Sequence, residues 1–210
     1  LHGLYQSIEP FDIDEDGDTD YLLGNWGNNS KFKASEKAPM KMYHHDFDQN
    51  GRKETVIAIE KEGNYYPLYG LDALSGQMIK LRKKYTSYKD FAGKTIEEVF
   101  GDETLKDADL MTVDNLRSGY LKNENGTFTF VPFPDAMQVS PITTFLTFDF
   151  DHNGKNEVLA AGNYFGVEPF HGRFDSFAGT LIKNDETFIS ANHLGLNINR
   201  KAVRHLNIIR

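Results

Sequence analysis

The fold is decided by the stretch Asp149-Phe150-Asp151-His152-Asn153-Gly154-Lys155-Asn156-Glu157 and by two stretches that repeat its pattern. These are Asp46-Phe47-Asp48-Gln49-Asn50-Gly51-Arg52-Lys53-Glu54 and Asp12-Ile13-Asp14-Glu15-Asp16-Gly17-Asp18-Thr19-Asp20. All three fit D-x-D-x-[DN]-G-x-x-[DE]. One match would carry moderate weight, whereas three in 210 residues predict a repeated structural unit.

The spacing of these oxygen-bearing side chains suits a hard cation. Ca²⁺ takes about six to eight oxygen ligands at roughly 2.3–2.6 Å. In a tight loop, the side chains at positions 1, 3, 5 and 9 and the carbonyl of position 7 can converge, and glycine at position 6 permits a positive φ. We therefore predict about three Ca²⁺ sites with these ligands: Asp12, Asp14, Asp16, the Asp18 carbonyl and Asp20; Asp46, Asp48, Asn50, the Arg52 carbonyl and Glu54; Asp149, Asp151, Asn153, the Lys155 carbonyl and Glu157.

Two other interpretations of these loops are weaker. Asp, Asn and Gly favour turns in general, but four carboxylates within nine residues repel one another unless a cation offsets their charge. An EF-hand needs a glutamate at position 12 and a helix on each side, whereas position 12 here is Leu23, Ile57 or Ala160. The short apolar runs that follow the loops predict strands. The first loop offers four carboxylates, so we expect it to bind most tightly.

Other features recur in step with the loops. A Gly-Asn-aromatic sequence follows each time, at Gly24-Asn25-Trp26, Gly63-Asn64-Tyr65 and Gly162-Asn163-Tyr164. This order predicts blade-sized antiparallel sheets. The predicted fold is therefore mainly β, a partial β-propeller of antiparallel blades with Ca²⁺-binding loops between strands.

The repeat is interrupted between the second and third loops. Leu74, Met78, Leu81, Tyr85 and Tyr88 fall at helical spacing, and Thr95-Ile96-Glu97-Glu98 is a capping box. We predict a helical insertion of two or three short helices. The predicted domains are residues 1–70 with the first two loops, 71–108 as the helical insertion, and 109–210 with the third loop.

Composition excludes several classes of function. The net charge of -8 argues against nucleic acid as a partner and against an anionic membrane surface. The absence of cysteine excludes disulfide scaffolds, thiolate zinc sites and cysteine nucleophiles. No apolar run is long enough for a transmembrane helix, so we expect no direct membrane insertion. The chain begins without methionine or a secretory signal, which suggests a fragment or a processed form.

The loops and the strands that follow them resemble FG-GAP/VCBS repeats, the units of integrin-α-type calcium-binding propellers. Residues 133–141, 161–169 and 172–175 are also similar to the C-terminal part of cartilage-acidic-protein-like exported repeat proteins of Bacteroidota, which often carry an ASPIC/UnbV module. The resemblance implies a propeller in the full protein, an extracellular, cell-surface or periplasmic location, and no established enzymatic activity. The second and third loops depart from the family pattern at two positions: Asn50 and Asn153 replace the acidic residue at position 5, and Glu54 and Glu157 replace aspartate at position 9.

Three functions are compatible with the sequence. The first is a non-enzymatic, calcium-stabilised propeller segment that binds a protein partner, such as an outer-membrane or surface assembly. The second is an enzyme, or the accessory propeller of a larger enzyme, although no H-E-x-x-H, G-x-S-x-G or P-loop sequence is present. The third is a glycan-binding module whose candidate aromatic platform comprises Trp26, Tyr164, Phe165 and His171.

Overall fold

The computed structural model describes residues 1–209 and is mainly β. Within this range, twelve strands form three four-stranded antiparallel sheets. The prediction of a mainly β fold with antiparallel sheets is confirmed, and no sheet of residues 1–209 closes into a barrel. The strands are β1 (Ser7–Phe11), β2 (Asp20–Gly24), β3 (Met40–His45), β4 (Glu54–Lys61), β5 (Asn64–Pro67), β6 (Asp109–Val113), β7 (Gly119–Glu124), β8 (Thr127–Pro132), β9 (Ile142–Phe148), β10 (Glu157–Gly162), β11 (Thr180–Ile182) and β12 (Phe188–Ser190).

The chain divides into two compact units. Unit 1 comprises Leu1–His2 and Phe32–Asn115, and unit 2 comprises Gly3–Lys31 and the chain from Leu116 onward. The strands β2 and β7 are hydrogen-bonded neighbours in unit 2, so the whole of 32–115 is inserted between two adjacent strands of one sheet. The predicted segments 1–70, 71–108 and 109–210 cut across these units, because β6 follows the helices and pairs with β3.

Unit 1 contains one sheet, in the order β5-β4-β3-β6, and five short helices. The extended backbone at Met78 and Tyr85 divides the first apolar stripe into separate helices. The predicted capping box is confirmed, because Thr95 Oγ1 accepts the Glu98 N–H and the Glu98 carboxylate accepts the Thr95 N–H. The helices are α1 (Leu71–Gln77), α2 (Ile79–Lys84), α3 (Tyr88–Phe91), α4 (Ile96–Phe100) and α5 (Asp102–Lys106).

The core of unit 1 lies between its sheet and its helices. Val56 and Ala58 of β4 are buried against the helical residues. Four of the five residues predicted at helical spacing are buried, but Tyr88 is 61% exposed and its hydroxyl donates to Asp72. The core members that the helices contribute are Leu71, Leu74, Leu81, Phe91, Ile96 and Val99, and the extended residues between helices add Met78 and Tyr85.

Unit 2 contains the sheets β1-β2-β7-β8 and β12-β11-β10-β9, which share one apolar core. Every residue of β10 is buried, as expected for a strand inside a packed sheet. Leu22 and Tyr120 reach this core from the first sheet, and Val158 and Ile182 reach it from the second. Three short 3₁₀ helices complete the unit, at Asp135–Met137, Pro169–His171 and Ala191–Leu194.

The Gly-Asn-aromatic sequences do not all have the same structural role. Asn25 and Asn163 are buried, and their side-chain amides bond backbone groups at Arg117 and Phe177, respectively. Asn64 is exposed and follows the two-residue turn of the β4–β5 hairpin. In unit 2, the asparagine of this sequence is buried and links two backbone segments by hydrogen bonds. In unit 1, the equivalent asparagine lies on the surface in a hairpin.

None of the helices in residues 1–209 has the length and apolar character needed to cross a membrane.

Candidate metal centres

Each of the three acidic loops connects two antiparallel strands in the same register. The first loop (residues 12–20) joins β1 to β2, the second (46–54) joins β3 to β4, and the third (149–157) joins β9 to β10. The residue at position 9 pairs with the residue just before position 1, as Phe11 with Asp20, His45 with Glu54 and Phe148 with Glu157. The loops therefore leave and re-enter their sheets in equivalent ways.

The aspartate at position 1 organises the turn of every loop. In the third loop, Asp149 Oδ1 accepts the Asn153 N–H at 3.1 Å and its Oδ2 accepts the Gly154 N–H at 3.0 Å. Asp12 and Asp46 accept the equivalent N–H groups in their loops. Glycine at position 6 has a φ between 85 and 94° in all three, as its place in the pattern predicts.

The carboxylate at position 9 closes the loop from the other end. Asp20, Glu54 and Glu157 each accept the backbone N–H of position 2, at 2.9, 3.0 and 2.9 Å. The side chain of position 2 turns inward, and Ile13 is fully buried. Positions 2 and 9 thus anchor the loop in the core while positions 1 and 3 face the interior of the loop.

These constraints bring three carboxylates together in each loop. Their ligand atoms lie within 4.8 Å of one another, and each group can hold a metal ion. The first cluster is Asp12, Asp14 and Asp20; the second cluster is Asp46, Asp48 and Glu54; the third cluster is Asp149, Asp151 and Glu157.

The predicted ligands at position 5 take part in the turns. Asp16 lies outside the first cluster, and its Oδ1 accepts the N–H of Asp18 at 2.8 Å. Asn50 and Asn153 accept the equivalent N–H groups of Arg52 and Lys155 at 2.8 Å. The position 5 side chain therefore orders the backbone around the position 7 carbonyl that the sequence predicts as a ligand.

The first cluster contains a buried aspartate and a neighbouring lysine. Burial raises the pKa of Asp20, backbone N–H groups of Asn123 and Ile13 partly offset this rise, and the charges of Asp14 and Asp16 add to it. Lys122 Nζ lies 3.0 Å from Asp14 Oδ2, and its bonds to Asp14 and Glu124 raise the pKa of the lysine. Asp14 Oδ1 is buried and has no hydrogen-bond partner among residues 1–209.

The second cluster contains a buried carboxylate oxygen that has neither a hydrogen-bond partner nor an ion-pair partner in the described part of the chain. Asp48 is 9% exposed, and its Oδ1 has no hydrogen-bond partner in the described part of the chain. Burial raises the pKa of Asp46, but the backbone N–H groups of Gly51, Asn50 and Gln49 outweigh this effect and keep the pKa below its usual value. An unpaired oxygen buried beside two further carboxylates points to a missing positive charge, because burial of such a group is costly.

One lysine partly offsets the negative charge of the third cluster. Lys183 Nζ lies 2.7 Å from Asp151 Oδ2 and 3.6 Å from Glu157 Oε1. The bond from Lys183 lowers the pKa of Asp151, and the same contact raises the pKa of Lys183. Lys155 also forms an ion pair with Glu15, which ties the third loop to the first within unit 2.

The loop sequences contain no signal for the two lysines that contact the clusters. Lys122 belongs to β7, which neighbours β2, and Lys183 follows β11, which neighbours β10. Their positions beside Asp14 and Asp151 depend on the order of strands in the sheets, so local spacing did not identify them.

The candidate glycan platform is partly buried. Trp26 is 9% exposed and packs edge-on against Phe174, with ring centroids 5.2 Å apart, and beside Tyr164. The guanidinium of Arg204 covers one face of Tyr164, and that of Arg173 covers one face of Phe165. His171 is partly buried, and burial lowers its pKa. The structure brings Trp26 and Tyr164 together as packed rings rather than as an open flat surface.

A pair of variants tests which of these aromatic side chains belongs to the packed core of unit 2. Trp26→Ala is expected to lower the free energy of unfolding of unit 2 by about 3 kcal/mol, because it empties a buried ring site. Phe165→Ala, at a residue 39% exposed, is expected to cost less than about 1 kcal/mol. Urea unfolding of both variants measures the difference. Equal losses would contradict the assignment of Trp26 to the core.

Histidines take no part in the metal centres of residues 1–209. His44 and His45 are consecutive on β3, and consecutive strand residues point to opposite faces. His44 Nδ1 lies 3.2 Å from Thr55 Oγ1, whereas the His45 ring packs against Phe47. No candidate metal group in this range includes a histidine, so the chemistry of the clusters is that of carboxylate oxygens.

Comparisons with protein-family models, with curated proteins and with solved structures found no match.

Proposed function

We propose that the chain is a non-enzymatic, Ca²⁺-stabilised β-propeller segment of an exported or cell-surface protein, and that it acts in protein binding or scaffolding. Its three loops each bind one Ca²⁺. The observation that carries this proposal is the common design of the loops, in which positions 1 and 9 are fixed by backbone N–H groups and three carboxylates converge.

The chemistry of the clusters favours calcium over other metals. Carboxylate and carbonyl oxygens without nitrogen or sulfur ligands suit Ca²⁺, Mg²⁺ or Mn²⁺ rather than zinc or copper. Mg²⁺ demands near-ideal octahedral geometry and keeps several waters, whereas a nine-residue loop with side-chain and carbonyl oxygens suits the larger and more tolerant Ca²⁺. Millimolar extracellular calcium would fill even weak sites of this kind.

The sheets support the propeller part of the proposal. Each is a four-stranded antiparallel sheet, and four-stranded antiparallel sheets are the blades of propellers. A Ca²⁺ ion in the loop between two strands of a blade would supply the rigidity that disulfides give to other exported proteins. A scaffold built in this way presents its remaining loops for partner binding.

Calcium binding is tested by isothermal titration calorimetry of the chelator-treated protein. We expect about three Ca²⁺ per chain and little or no heat with Mg²⁺. The variants Asp14→Asn, Asp48→Asn and Asp151→Asn change position 3 without changing its size, and each is expected to remove one binding event.

Asp135→Asn provides the control, because Asp135 is exposed, pairs with Arg117 and lies outside every cluster. This variant is expected to keep all three binding events. A wild-type protein that binds no Ca²⁺ would overturn the proposed function.

A further inference from the structure

The three clusters differ in the charge that faces the aspartate at position 3. Asp14 faces Lys122 at 3.0 Å, and Asp151 faces Lys183 at 2.7 Å. Across residues 1–209, no lysine or arginine lies within salt-bridge distance of the carboxylates of the second cluster. Among the three loops in this range, the second is therefore the one whose carboxylates form no salt bridge with a lysine.

The strands beside the second loop explain this difference. The lysine in that loop, Lys53, pairs instead with Asp109 of the neighbouring strand β6, at 2.7 Å. Lys80 of α2 approaches the loop but donates to the backbone carbonyl of Asp48, not to its carboxylate. The carboxylate of Asp48 therefore stays buried without a positive partner.

The second loop also contacts the helices of unit 1. Lys80 connects its backbone to α2, and the ring of Phe47 packs on Phe100 of α4 with centroids 4.6 Å apart. Both contacts come from loop positions 2 and 3, beside the residues of the second cluster. The conformation of the loop and the docking of these helices are thus physically linked.

We propose that the second loop is the calcium-controlled loop of this protein, binding Ca²⁺ more tightly than the other two and holding α2 and α4 in place through its ion. This inference rests on the proposed function. Lys122 and Lys183 act as built-in counter-cations that keep the first and third loops formed at low calcium and compete with the ion there. This order of calcium affinity replaces the expectation that the first loop binds most tightly. The fourth carboxylate of that loop, Asp16, is exposed and already accepts a hydrogen bond from the Asp18 N–H.

The test is hydrogen–deuterium exchange of the full chain at graded calcium concentrations, which gives a midpoint of protection for each loop. We expect the midpoint of the second loop to lie about tenfold below the other two. Lys122→Met and Lys183→Met are expected to lower the midpoints of the first and third loops, respectively, by about tenfold, as removal of one like charge a few ångströms from the ion predicts. Lys106→Met, at an exposed lysine of α5 paired with Glu103, is the control and is expected to change no midpoint.

The same experiment measures the link to the helices. Calcium is expected to protect residues 79–84 and 96–100 in the wild type, in Asp14→Asn and in Asp151→Asn, but not in Asp48→Asn. Equal helix protection in Asp48→Asn, or unchanged midpoints in both lysine variants, would overturn this inference alone. An absence of calcium-dependent protection in every loop would overturn the proposed function as well.

Discussion

Removal of calcium is expected to lower the melting temperature of each unit by about 10 °C or more. A ligand that binds only the folded state stabilises it by about 2.7 kcal/mol per site at 100 times its dissociation constant. Unit 1 carries one loop and unit 2 carries two. For domains of 60–100 residues, a change of 1 kcal/mol shifts the melting temperature by roughly 4–8 °C.

Differential scanning calorimetry with excess EDTA, followed by addition of saturating Ca²⁺ or Mg²⁺, measures this effect. We expect Ca²⁺ to restore the melting temperatures and Mg²⁺ to restore little. The matched control is the triple variant Asp14→Asn, Asp48→Asn, Asp151→Asn, whose melting behaviour should be the same with and without calcium. A wild-type protein that melts at the same temperature in EDTA and in calcium would show that the loops are acidic turns without a structural ion.

Gly162→Ala is expected to destabilise unit 2 by about 3 kcal/mol or more. Gly162 ends β10, and a Cβ at this position would overlap the carbonyl oxygen of Pro141 and lie 2.9 Å from the Cα of Ile142. Both obstacles are backbone, so relief requires movement of the segment leading into β9. Overpacking of a well-packed core typically costs about 1–3 kcal/mol, and occasionally more.

Gly76→Ala is the matched control for this substitution. Gly76 lies in α1 and is exposed, and a methyl group added to its Cα would meet no neighbouring atom within 4 Å. Alanine is a better helix former than glycine, so this variant is expected to stabilise unit 1 by about 0.5–1 kcal/mol. Chemical denaturation of both variants provides the comparison. A neutral Gly162→Ala would mean that the close approach of the two strands relaxes at little cost.

The loops could be predicted from the sequence because their design is local. Asp149, Asn153 and Gly154 lie within six residues, and the backbone turn that joins them needs a carboxylate, a short polar side chain and a glycine at fixed positions. Local signals also located the capping box at Thr95 and the strands on both sides of each loop. In each case the residues that interact are close neighbours in the chain.

The insertion of residues 32–115 and the positions of the lysines beside the clusters depend on which strands pair. Tertiary structure alone decided these features. The pairing of β2 with β7 makes residues 32–115 an insertion, brings the backbone of Asn123 to Asp20 and places Lys122 beside Asp14. Strand order likewise puts Lys183 beside Asp151, whereas the carboxylate of Asp48 has no ion-pair partner in residues 1–209. The sequence by itself determined where carboxylates converge, because that geometry is set within nine residues. Which cluster has a lysine that partly offsets its charge was decided by strands distant in sequence, because such ion pairs form across the sheet.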